Sequence, residues 1–408
     1  MQDLRRAAEQ VMEKLESAGY QAYMVGGCVR DLLLGRTPDD YDLATDAEPS
    51  VVEELFEKTI PTGIQHGTVI VINQEIPIEV TTFRVEGAYL DGRHPENVSF
   101  VKELSKDLSR RDFTINAMAL DLRGKLYDYY QGQDDLEKKK IRAVGIPQDR
   151  FSEDALRMIR AIRFAAQLDF SIEPETFRAI KLCREGAKNL AVERVSAELT
   201  KLWKSNQPSV GLQEFWDTGL LFCTNPFAHW EKQPAPSLGE LLRFDLYDDP
   251  ALRWAYLLYL LQTPQSLLPL RLSDLKLSHK ESVRILTASE TGRAWTYRKD
   301  DMELRALLLQ YGLEWTIRAN QFANMIYQDE FLEQTEEINR NWHEMPVKML
   351  KELPVKGSDL INRLQKPAGP WVGKTLTYLL EQVAFGELEN QRPVLLDEGE
   401  RYAFQCAD

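Results

Sequence analysis

Asp40 and Asp42 are two carboxylates one residue apart in the run Asp39-Asp40-Tyr41-Asp42-Leu43. If that run is a strand, both acids share one face and Tyr41 takes the other. Two carboxylates so placed repel unless a cation lies between them, and an oxygen-only donor set favours Mg²⁺. The pair suits two-metal chemistry, in which one ion activates an attacking hydroxyl and the other steadies a triphosphate. Upstream, Gly26-Gly27 separates the apolar run 23–25 from the helically spaced segment 28–34. Adjacent glycines between a strand and a helix let backbone N–H groups approach a phosphate, and Arg30, one turn on, would add charge there. A lone D-x-D is more often a solvated acidic turn. The Gly-Gly turn at that distance weakens the plainer reading.

Several elements must position these groups. A helix over 3–17 leads through Ala18-Gly19 into the first strand, and a short helix over 51–56 follows the acidic one. Residues 68–72 and 76–83 read as neighbouring strands joined at Asn73-Gln74. On the second, Glu79 faces away from Ile78 and Val80 and is a candidate third acid. An edge-strand glutamate facing water fits the spacing equally well. Residues 84–95 hold two glycines, a proline and mixed charge and read as a mobile loop. Residues 104–108 then lead into Arg110-Arg111-Asp112, and 113–118 continues as an apolar-periodic helix. From Ser152, a good cap, the spacing predicts a helix over 155–168 with Leu156, Ile159, Ile162 and Phe164 towards a core. Asp154 and Arg157, three apart, become neighbours on one face, with Arg160 and Arg163 at the next helical steps.

With 408 residues the chain should split into two to four domains, and 43% apolar with 28% charged residues is ordinary for a globular protein. No apolar run reaches the roughly 20 residues of a membrane span, and the amphipathic, acid-containing start does not read as a targeting peptide. Four well-separated cysteines suggest neither a zinc site nor a disulfide framework, so a reducing cytoplasm is expected. A net charge of −14 excludes bulk coating of nucleic acid. Residues 138–204 reverse that sign, with 15 basic against 9 acidic residues. Such a patch suits selective engagement of one RNA, although a charged helical surface is more often merely solvated.

Three motifs in order, GG-x-V-R-D with its D-x-D, RRDFTINAMA at 110–119 and EDALRMIRAIRF at 153–164, resemble those of the class II tRNA nucleotidyltransferase and bacterial poly(A) polymerase family. The close match covers the first half of the chain, with a weaker echo near the C-terminus. The resemblance implies an α/β head with a polymerase-beta-like palm (1–148), followed by an all-α neck (149–205), body (206–295) and tail (296–408). It implies Mg²⁺ on Asp40 and Asp42, and it favours Glu79 as the third catalytic acid. It makes Gly26, Gly27, Arg30, Arg111, Asp112, Asn116, Asp154, Arg157, Arg160 and Arg163 the expected nucleotide contacts. Without the family, Asp112 would read first as a helix cap beside surface arginines. With it, Arg111 suits a triphosphate and Asp112 a ribose 2′-hydroxyl.

The same resemblance gives Asp154 and Arg157 the choice of base. Cytosine and adenine both present an amine donor beside a ring-nitrogen acceptor, which a carboxylate beside a guanidinium complements. Guanine and uracil reverse that pattern and leave polar groups unpaired, at about 1–3 kcal/mol each. Glu193 and Arg194 would brace that helix, though packing explains them as easily. The loop over 84–95 resembles the flexible loop of CCA-adding enzymes, with Arg84, Asp91 and Arg93 as its polar levers; relatives that add only CC typically have it shortened. Lys366 and Lys374, flanking Gly369-Pro370, resemble tail elements that reach the tRNA elbow, although a simple interhelical turn competes. Five histidines with no adjacent His-Asp pair argue against the metal-phosphohydrolase domain of some relatives.

The expected activity is template-independent addition of CCA to the tRNA 3′ end from CTP and ATP, with no membrane and no obligate protein partner indicated. Addition of A alone or CC alone, poly(A) synthesis, and a non-catalytic tRNA-binding protein that kept the palm are the alternatives.

Overall fold

Residues 2–63, 66–87, 98–298, 300–327 and 334–405 are described by the computed structural model. Short β-branched runs make the strands of the first third: β1 (Ala22–Val25), β2 (Asp42–Thr45), β3 (Thr59–Gly63), β4 (Thr68–Asn73), β5 (Ile76–Thr82), β6 (Arg84–Glu86), β7 (Val98–Phe100), β8 (Met118–Leu120) and β9 (Leu126–Asp128). Seven of them form one sheet in the order β3-β4-β5-β2-β1-β8-β9, and β6 pairs with β7. β2 and β5 run parallel, while the other neighbours run antiparallel. Gln74 and Glu75, at φ 50° and 63°, form the two-residue turn between β4 and β5. Left-handed conformation at both positions matches strand twist and pins the register.

Alternation gives the sheet two different faces. Met24, Leu43, Val69, Val71, Ile78 and Val80 are buried on the face covered by helix α1 (Gln2–Ser17), which supplies Ala7, Ala8, Val11, Met12 and Leu15. On the other face Val25 and Ala44 join a core with Phe83, Leu104, Leu108 and Ala119. Asp42, two residues before Ala44, shares that face.

Helices follow in chain order: α2 (Gly27–Leu33), α3 (Pro49–Leu55), α4 (Leu104–Ser109), α5 (Gly132–Glu137), α6 (Pro147–Glu153), α7 (Leu156–Leu168), α8 (Pro174–Cys183) and α9 (Val192–Leu202). The helix expected over 113–118 does not form. Residues 114–116 make one 3₁₀ turn, and Met118–Leu120 enters the sheet between β1 and β9. A short apolar run fits either period, and the free edge of β1 decides it.

The chain divides into two compact units, residues 1–237 with 274–276, and residues 238–273 with 277–408. The first holds the sheet and helices α1 to α9. The second is helical, around Trp295, Leu304, Leu308, Ala323, Ile338, Leu360, Leu379 and Leu395. A mixed α/β N-terminal part followed by largely α-helical structure is therefore the observed class. Among the described residues no helix is long and apolar enough to cross a membrane.

Candidate active site

The acidic motif is not one continuous strand. β1 pairs with β2 only as far as Val25 opposite Asp42, because the chain turns away at Gly26, so the ladder starts at Asp42 and Asp40 lies in the exposed segment before it. Asp42 instead finds its carboxylate neighbour across the sheet. In the parallel ladder it stands opposite Glu79, which puts both side chains on one face. β5 lies between β4 and β2, so Glu79 is exposed but not on an edge. Burial, then the charges of Glu79 and Asp40, push the Asp42 carboxyl up to about 6, and Arg111 opposes the shift. Among the described residues no group of three or more His, Cys, Asp or Glu side chains is gathered closely enough to hold a metal as it stands.

Gly26 sits at φ 76° and ψ −136°, open to glycine and little else. A Cβ there would lie 3.0 Å from Arg111 Nη1 and 3.8 Å from Asp42 Oδ2. The glycine turn, the acid and the arginine of the second motif thus converge. Arg111 donates to Asp107 Oδ2 at 3.4 Å, while its buried Nε has no hydrogen-bond partner. Gly27 opens α2, whose first turn has no side-chain cap.

Other residues expected at the nucleotide are already engaged. Arg30, 6% exposed, makes two bonds of 2.9 Å to Asp31 and one of 2.8 Å to Asn116 Oδ1. The spacing suggested that it adds charge to a phosphate; its guanidinium here lies between Asp31 and Asn116, beside the glycine turn. Asp112 accepts from Phe113 N, Asn116 Nδ2 and two nitrogens of Arg160. Burial opposes its ionisation, but Arg160 and these N–H groups outweigh burial and hold the carboxyl at about 2. A ribose hydroxyl would have to displace one of those donors.

A buried acid that sequence reasoning missed organises the approach to the site. Asp107, fully buried, pairs with Arg110 at 2.9 Å and with Arg111 at 3.4 Å, and accepts from Arg84 N at 3.3 Å. Its signal was Asp107-x-x-Arg110-Arg111, an i,i+3 and i,i+4 pattern. Glu86 binds Arg84 and Arg110 at 2.9 and 3.2 Å; Arg84-x-Glu86 is a same-face pair only if the segment is a strand, and it read as a loop. Arg84 lies in β6 rather than in a loop, and also donates to His66 O. Asp91 and Arg93 fall outside the described residues.

The base-choosing segment differs from expectation. Ser152 lies inside α6 and caps nothing; Asp154 ends that helix, extended at φ −144° and ψ 104°, and its Oδ1 accepts from the N–H of Leu156, the first residue of α7, at 3.0 Å. Asp154 and Arg157 are not paired with each other. Asp154 Oδ2 accepts from Arg194 Nη2 on α9 at 2.7 Å, which gives Arg194 the bracing contact. Arg157, 8% exposed, donates to Glu153 Oε2 at 2.5 Å and to the carbonyls of Arg150 and Arg110. A break between helices replaces one continuous face because Asp154 cannot be helical and cap Leu156 at once. Arg163 goes to Glu198 at 2.5 Å. In the second unit a helix spans Pro370–Phe385, with Lys374 exposed on its first turns and Lys366 Nζ 5.5 Å from the Trp371 ring centroid.

Comparison with known proteins agrees over the whole length. Residues 22–142 match the poly(A) polymerase head domain, 169–229 the "Probable RNA and SrmB- binding site of polymerase A", and 247–398 tRNA nucleotidyltransferase domain 2. The CCA-adding enzyme of Ligilactobacillus salivarius is 37% identical, covering 96% of this chain and 95% of that one. That of Geobacillus sp. strain WCH70 is 39% identical, covering 94% and 93%. The crystal structure of the Bacillus stearothermophilus CCA-adding enzyme in complex with CTP superposes with a TM-score of 0.84 at 33% identity, covering 99% of each chain. Head motif, helical remainder and full-length similarity all agree, and the chain belongs to the class II tRNA nucleotidyltransferases, the family of CCA-adding enzymes.

Proposed function

We infer that Asp42, with Glu79 beside it and Asp40 in front, is the acidic centre at which this chain adds CCA to tRNA from CTP and ATP without a nucleic-acid template. The activity follows from full-length kinship with CCA-adding enzymes. The observation that carries the site is the Asp42–Glu79 ladder position beside Gly26 and Arg111.

Mg²⁺ fits the residues present. The donors are all carboxylate oxygens, and Asp42 is pushed up to about 6 by burial and by its acidic neighbours, a strain that a cation relieves. Asp40, Asp42 and Glu79 would hold it, and when bound it supplies an activated hydroxyl nucleophile and charge neutralisation at the triphosphate. Arg111 faces the same turn with an unpartnered Nε and is assigned to the phosphates. Asp154 and Arg157 are assigned to the base, each exchanging part of its present bonding for the edge of C or A. Lys366 and Lys374 are assigned to the tRNA backbone. The cytoplasm is the proposed setting, in keeping with free thiols at Cys28, Cys183 and Cys223.

The test offers tRNA ending at the discriminator base, at C and at CC, with CTP and ATP singly and together, and sizes the products. One chain should complete all three ends and release pyrophosphate only with a divalent ion. Products that stop at CC, or that run past A, would replace this reading with a partial adder or a poly(A) polymerase.

A further inference from the structure

Arg111 faces the glycine turn on a single anchor. Its N–H donates to Leu108 O at 3.3 Å, so its side chain leaves directly from the last turn of α4. Among the described residues the guanidinium makes one hydrogen bond, from Nη2 to Asp107 Oδ2 at 3.4 Å. Nη1 lies 3.0 Å from where a Cβ on Gly26 would sit, and the buried Nε has no partner. The group is therefore aimed without being saturated. Asp107, fully buried one turn back on α4, also accepts at Oδ1 from Arg110 Nε and Nη2 at 3.0 and 2.9 Å and from Arg84 N at 3.3 Å. Burial opposes its ionisation, but Arg110 and Arg111 outweigh burial and hold the carboxyl below its ordinary value. The two arginines depend on it unequally. Arg110 also reaches Glu86 Oε1 at 3.2 Å and would keep that contact without Asp107, whereas Arg111 would keep none of its bonding. A long side chain without an anchor samples many rotamers, and fixing one before the ligand arrives removes that cost.

We propose that Asp107 is a positioning residue that holds Arg111 against the glycine turn and so presents Nε and Nη1 to the triphosphate of the incoming nucleotide. It touches neither the nucleotide nor the tRNA and acts only through Arg111. The proposal rests on the assignment of Arg111 to the phosphates. A planar guanidinium can be gripped at one nitrogen and donate in a fixed direction from the other two, which a point-like ammonium cannot do.

The test is a double-mutant cycle in the full-length protein, read as kcat/KM for CTP in C addition. Asp107→Asn, close in shape but without the charge, should lower that value about tenfold in the parent and by less than about twofold in Arg111→Ala, because its effect passes through Arg111. A carboxylate that only secures α4, β6 or Arg110 would cost as much in either background, and that result overturns the proposal. A second measurement leaves Asp107 unchanged. Ethylguanidinium added to Arg111→Ala should raise C addition several-fold, while ethylammonium, equal in charge, should not. Rescue by both alike, or by neither, overturns the docking of a guanidinium on Asp107. The single variant Arg111→Ala separates the two readings. If it leaves kcat/KM for CTP unchanged, the phosphate assignment falls and takes the role of Asp107 with it. If it is slow and Asp107→Asn costs as much without Arg111 as with it, the phosphate assignment stands and the positioning role falls.

Discussion

Asp42 and Asp112 are both shielded carboxylates beside arginine, yet one is pushed up to about 6 and the other is held at about 2. The difference lies in what surrounds them. Asp42 has two acids for neighbours and shares Arg111 with Asp107, whereas Asp112 receives four donors, two of them from one guanidinium. Charge left unbalanced inside a fold marks a place that a ligand can complete. Asp42 and Asp112 are therefore the same residue type in opposite electrostatic settings, within one compact unit.

The comparison can be broken at several points. Asp42→Ala should cut single-turnover incorporation by at least about a thousandfold. Filter binding should find tRNA affinity almost intact, and unimpaired turnover would dissolve the distinction outright. On the paired side, Glu198→Ala strands Arg163 in the interior, so urea unfolding should show a loss of about 3–5 kcal/mol.

A third measurement contrasts the two acids by pH. Asp42 titrates higher folded than its ordinary value of 3.8, so the native state holds that proton more tightly and loses stability as pH rises from there through about 6. Asp42→Asn should accordingly be more stable than the parent above that range and gain nothing below it, with Mg²⁺ narrowing the difference. Asp112 has the opposite sign, because its contribution is complete above 3.8 and is lost as pH falls through about 2. The smallest effect belongs to Arg194→Ala. Its partly exposed bond to Asp154 is worth less than about 1 kcal/mol in urea, yet GTP and UTP misincorporation should rise several-fold.

Much of the acidic centre was legible because its signals are local. The Gly26-Gly27 turn, the acid at 42 and the outward parity of Glu79 each follow from a few adjacent residues, and the structure puts all three on one side of the sheet. Arg194, read as a brace for the base-choosing helix, donates to Asp154 Oδ2 from forty residues on, while Arg157 goes to Glu153. The contacts of Glu86 with Arg110 and of Glu198 with Arg163 were illegible, since they join segments 24 and 35 residues apart. Residues 113–118 read as helix because nothing in a short apolar run reveals the vacant strand edge that Met118–Leu120 fills.

The parallel pairing of β2 with β5 has a consequence for how this gene can change length. One codon added between Ile76 and Glu79 would rotate the carboxylate to the side packed by α1, since facing alternates residue by residue. Codons added between Gln74 and Glu75 only enlarge a hairpin tip, at the modest entropic cost of a longer loop. Insertions are therefore tolerated at that tip and forbidden a few positions later, and a scan of single-residue insertions through 74–79 should lose activity abruptly rather than by degrees.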